Sequence, residues 1–79
     1  MERQKADIII IGSLSADSAI RGGEGGDLFL CETEAQAYET FDTRDAAVIR
    51  GDVRVDTFDY GGLSVVVCGQ VSCRGGQDE

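Results

Sequence analysis

The chain has 79 residues, with 15 Asp and Glu against 7 Lys and Arg, no His, no Pro, 11 Gly and 3 Cys, for a formal net charge of −8. Such a length holds one small domain. The missing His removes the usual general base and zinc ligand, and the acidity argues against direct nucleic-acid binding, in which Lys and Arg must neutralise phosphates.

With 42% hydrophobic residues the chain reads as a folded domain over 1–79, not an acidic disordered tail. Its longest apolar run, Ile8 to Ile11, is too short to span a bilayer, and no secretory h-region follows the N-terminus. A cytoplasmic protein with reduced thiols and no membrane association is expected.

Residues 1–5 are polar and read as frayed. Ala6 to Ser15 reads as a first strand, because four consecutive Ile favour extended backbone. An unbroken apolar run implies that both faces are covered, or that the strand is central. Asp17 to Gly26 reads as a connector, flexible through Gly22, Gly23, Gly25 and Gly26, closing a long hairpin onto a second strand, Asp27 to Cys31.

Thr33 opens the one convincing helix, since Thr33-x-x-Gln36 fits a capping box and Glu34 sits where the helix dipole favours a carboxylate. Ala37, Tyr38 and Phe41 share a face, and the helix is expected to end between Asp42 and Ala47. Val48 to Phe58 alternates valines with charges, Gly51 marking a bulge. Asp59-Tyr60-Gly61-Gly62 reads as a hairpin turn, with Tyr60 exposed at its tip. Leu63 to Ser72 is the last strand, with Leu63, Val65 and Val67 on one face, and 74–79 is a polar tail. Phe29 and Phe41 are assigned to the core, and no internal repeat is evident. The order strand, strand, helix, strand, strand predicts an α+β domain: a small antiparallel sheet of about four strands with one helix on one face.

The three cysteines are odd in number, which suits small hydrophobes better than a disulfide framework. Cys68 and Cys73 would lie roughly 16 Å apart along a strand, beyond the ~7 Å that a bridge tolerates. A disulfide after a sharp bend near Gly69, or a metal site, stays as an alternative; neither cofactor nor metal is expected.

The charge is local. Residues 24–59 hold ten acids and three bases, whereas residues 1–23 are balanced. Part of this acidity keeps a small protein soluble. Part of it defines a candidate surface for a basic protein partner: Glu32, Glu34, Glu39, Asp42, Asp45, Asp52, Asp56 and Asp59, with Tyr60 as an aromatic anchor.

Catalytic motifs fail one by one. Ile8 to Ser13 resembles the opening of a nucleotide-binding unit, but no G-x-G-x-x-G follows. The 22–26 loop lacks the Lys of a phosphate cradle, and Asp52-x-Arg54-x-Asp56 lacks the Gly and distal Glu of a calcium loop. The chain is therefore expected not to be an enzyme.

The β-β-α-β-β order, the capped stretch Thr33–Glu39, the turn at Tyr60-Gly61-Gly62 and the acidic segment together resemble the small anti-CRISPR proteins that inhibit type I surveillance complexes. The likeness is architectural and transfers no functional residue. It implies a non-enzymatic inhibitor that binds Cas subunits of a type I effector complex and blocks target DNA, its carboxylates imitating phosphates; a monomer is expected rather than an oligomer. The alternative is a small acidic interaction or adaptor module, without nucleic-acid mimicry, that pairs through a sheet edge.

Overall fold

The computed structural model describes residues 3–75 and the backbone of 77–78. Its elements run β1 (Gln4–Lys5), β2 (Ile8–Arg21), β3 (Asp27–Cys31), α1 (Glu34–Thr40), β4 (Phe41–Asp42), β5 (Ala47–Asp59), β6 (Ser64–Cys73) and β7 (Gln77–Asp78). Every strand pair is parallel. β1 pairs with β4 in a two-stranded sheet, and the main sheet has the order β3-β6-β2-β5, with β7 also on β2.

The antiparallel sheet expected from the sequence is therefore overturned. So are both hairpins: β2 and β3 are not hydrogen-bonded neighbours, and neither are β5 and β6. Alternating burial fixes which residues share a face but is blind to strand direction. The run of four isoleucines did carry the directional signal, because strands covered on both faces are typical of parallel sheets. Ile9 and Ile10 are both fully buried, and β2 lies between β5 and β6. The likeness to anti-CRISPR proteins rested on a helix packed against an antiparallel sheet, and the parallel pairing withdraws that architectural support.

Register shows what the chain does instead. Ile8 pairs with Val65, and Val65 pairs with Leu28. Extended, the stretch from Ile8 to Leu28 would reach roughly 65 Å; here its ends are two strand spacings apart, roughly 10 Å. The chain has wound once around and returned above its own start. Residues 47–65 do the same, since Ala47 pairs with Ile8 below and Val65 with Ile8 above. The two windings climb two levels each and interleave, so that β6 sits between β3 and β2. The result is a short parallel β-coil, or solenoid, with two starts.

Stacking in register produces columns of like residues. Val71, Leu14 and Val53 form one, and Cys73, Ala16 and Val55 another. With Ile10, Ile20, Tyr60, Val65 and Val67 they fill the interior of the coil. Gly69, Gly12 and Gly51 form a third column, with φ of 143°, 148° and 112°. These are the only described residues inside the strands with positive φ, and they turn each winding at the same place. The matched positions Gly12 and Gly51, Gly23 and Gly61, and Cys31 and Cys68 amount to a quasi-repeat that the sequence reading passed over.

A second cluster covers the outside of the first side. Ile9, Val66, Cys31 and Cys68 pack beneath Ala37 of α1 and Phe41. Phe29 lies against Phe41 with ring centroids 4.9 Å apart, as its assignment to the core requires. The capping expectation holds: Thr33 Oγ1 accepts from the Gln36 amide at 3.1 Å, and Gln36 Oε1 accepts from the Glu32 amide at 2.7 Å. The helix stops at Thr40, earlier than expected, because Phe41 turns extended to join β4.

Boundaries shift where the coil demands it. β2 continues to Arg21, so that only 22–26 connect it to β3. β5 and β6 match the expected strands within a residue at each end. A register shift between Ala16 and Ala19 reverses the alternation late in β5, which brings Phe58 against the interior. Of the segment expected to fray, Gln4–Lys5 pairs with β4, while residues 1–2 lie outside the described residues. Of the expected tail, the 77–78 backbone pairs with the end of β2, and residues 76 and 79 lie outside the described residues.

Candidate interaction surface

The acidic side chains occupy two regions, not one face. Glu32, Glu34 and Glu39 lie on or beside α1, Asp42 is in β4, and Asp45 is in the loop before β5. Asp52, Asp56 and Asp59 lie along β5, the outermost strand of the coil, and follow its contour around the rim.

Much of this charge is matched internally. Glu34 accepts from Arg50 through both oxygens, at 2.8 and 2.7 Å, and from the Tyr38 hydroxyl at 2.9 Å. The guanidinium, and then the phenol, hold the Glu34 carboxyl down to about 2, while the same carboxylate pushes the Tyr38 phenol up. This contact ties the helix to the rim strand. Asp42 takes the Arg44 side chain at 3.1 and 2.8 Å, which lowers its carboxyl to about 2. Asp45 meets Lys5 at 3.7 Å. Asp52 accepts from Ser13 Oγ at 2.8 Å. Asp59 accepts from the Gly61 amide at 3.0 Å, closing the turn.

Of the acids predicted for the surface, Glu32 and Glu39 near the helix and Asp56 on the rim are exposed with no side-chain hydrogen bond or ion pair among the described residues, as are Asp17, Glu24 and Asp27 outside that set. Tyr60 is corrected. It is only 3% exposed, stands in the coil interior with its ring 5.9 Å from that of Phe58, and offers no surface anchor. The glycine turns stack edge to edge beside it and drive its ring inward: a Cβ on Gly22 would lie 2.9 Å from the Tyr60 ring carbon Cζ.

Cys31 and Cys68 pair in register and are buried, which pushes both thiols up. Among the described residues no group of three or more Cys, Asp or Glu could hold a metal ion. One concavity among the described residues is an open groove of about 370 Å³ lined by Ser15, Ala16, Asp17, Arg54, Ser72, Cys73 and Arg74. Its chemistry is a seryl ladder, Ser72 Oγ donating to Ser15 Oγ at 3.2 Å, flanked by two guanidiniums and one carboxylate. No helix among the described residues is long and apolar enough to cross a membrane.

Compared with known proteins, the chain matches no family model, no curated protein and no solved structure.

Proposed function

We propose that the protein is a cytoplasmic, non-enzymatic binding protein whose acid-rich helix flank engages a cationic protein surface, one that otherwise holds nucleic acid. The observation that carries this reading is the excess of acid over base in residues 24–59, where Glu32 and Glu39 stay exposed while Arg50 and Arg44 are held by Glu34 and Asp42. Carboxylates on a rigid coil stand where phosphates would stand, and complementary charge speeds encounter and fixes orientation. Inhibition of a type I CRISPR surveillance complex through its basic DNA channel is one instance of this class.

The test is competition for target DNA on a purified type I complex, read by gel mobility shift. The protein should displace DNA less well as salt rises, and Glu32→Lys with Glu39→Lys should lose displacement while the circular dichroism spectrum stays that of the parent. Undiminished displacement by the doubly reversed variant refutes the electrostatic mechanism. An adaptor reading is favoured by a separate observation, the unpaired outer side of β5. It predicts partner binding that barely responds to salt.

A further inference from the structure

The long rim strand has one partner. β5 runs from Ala47 to Asp59 and bonds to β2 on one side, and no described strand pairs with its other side. Beneath it the coil interior ends openly, with Ile49 43% exposed and Val53 and Val55 half-buried. An edge this long, with apolar residues beside it, is a template for further pairing. The opposite end of the coil, β3, has only five residues, Asp27–Cys31.

The side chains of β5 also carry a symmetric pattern. Arg50, Asp52, Arg54 and Asp56 alternate in sign on the outward side of the strand, while Gly51, Val53 and Val55 take the other. Reversed about Val53, Asp52 falls on Arg54 and Arg50 on Asp56. The strand is opposite in charge to its own antiparallel copy at every one of these positions. Unlike-charge pairs directly across two strands stabilise pairing, whereas like charges oppose it.

The contour of the winding suits the same axis. Val53 lies midway between Gly51, where the chain turns, and Val55, where the register with β2 begins to shift. A two-fold axis through Val53 therefore lays the straight stretch 52–54 on itself. It also brings the open ends of two hydrophobic interiors together.

We propose that the protein self-associates as a two-fold dimer through β5, antiparallel, with Val53 opposite Val53 of the second copy. The contact is isologous, so it closes at two copies. Head-to-tail stacking of β5 on β3 is disfavoured, because it pairs a strand of thirteen residues with one of five and sets no acid against a base. The expectation of a monomer is replaced by this reading. It is independent of the proposed function, because the pairing uses Asp52 and Asp56 and leaves Glu32 and Glu39 free for a partner.

The experiment is sedimentation equilibrium from low micromolar to millimolar protein. The parent should pass from one copy of 8.4 kDa to two and no further. Arg54→Asp sets carboxylate against carboxylate twice per dimer and should weaken association roughly tenfold. Adding Asp52→Arg restores unlike pairs with the signs exchanged and should recover the parent constant. A parent that stays monomeric throughout, or that grows beyond two copies by end-to-end stacking, overturns the proposal. So does a folded double variant that associates no better than Arg54→Asp. Where a variant unfolds by circular dichroism, the parent's own concentration dependence still decides.

Discussion

The glycine column makes the sharpest demand on the chain, and Gly12→Ala tests it. A Cβ at Gly12 would collide with the Gly51 carbonyl, whose carbon would lie 2.6 Å away, and its φ of 148° is one that side-chain-bearing residues rarely adopt. The backbone strain is worth about 1–3 kcal/mol. Forcing two stacked windings apart by the width of a methyl group adds about 1–3 kcal/mol. A protein of this size has roughly 4–12 kcal/mol of stability in all, so the substitution should remove much of it. Gly51→Ala is the control: its φ is 112°, but nothing lies within 4 Å of the added carbon, so only the strain applies. Urea unfolding followed by far-ultraviolet circular dichroism measures both. Gly12→Ala should be the less stable by about 1–3 kcal/mol. If the two variants unfold at the same urea concentration, the windings do not stack through Gly12 and the coil is wrong.

Two further perturbations test other parts of the structure. Leu14, fully buried between Val53 and Val71, should cost about 2–5 kcal/mol on change to Ala, with an unchanged denaturant slope; a loss below about 1 kcal/mol would place it outside the interior. The acid limb of stability should depend on Glu34. Its carboxyl falls from an ordinary 4.5 to about 2 in the folded protein, so the Arg50 contact stabilises fully above 4.5 and is lost as pH drops towards about 2. Asp42, lowered from 3.8 to about 2, adds to the same limb. Glu34→Gln should therefore flatten the fall in urea midpoint over that range, and an unaltered profile would show that the ion pair does not form.

The elements were largely readable in the sequence because each rests on local chemistry. Thr33 and Gln36 announce the helix start, and the valines of 53–55 and 65–67 announce half-buried and buried strands. Strand direction was not readable from alternation, since Val65 and Val67 face inward whichever way a neighbour runs. The decisive hint was present in Ile8–Ile11 but was outweighed by glycine-rich loops of hairpin length. Those loops, 22–26 and 60–63, in fact carry the chain past a neighbouring level. The same misreading placed Tyr60 at a tip, whereas the coil needs an aromatic to fill its turn. The acids were read correctly as a local excess. Their partners were not, because Glu34 with Arg50 and Asp52 with Ser13 meet only once distant stretches are stacked.

Interleaving also decides the order in which this protein can come into being. β2 and β3 do not pair with each other; their sheet partners are β5, β6 and β7, all later in the chain. During synthesis the first 46 residues have no partner strand for β2 or β3, so no main sheet exists until the second winding is delivered. Nearly all contacts of the finished sheet join distant residues, a topology that closes large loops before any contact rewards them and therefore folds slowly. A chain cut before β6 loses the strand that joins β3 to β2, so β3 keeps no partner in the main sheet and only the β2–β5 pair remains. Unlike a one-start solenoid, which can be shortened a coil at a time, this molecule is a single cooperative unit with no smaller folded version of itself.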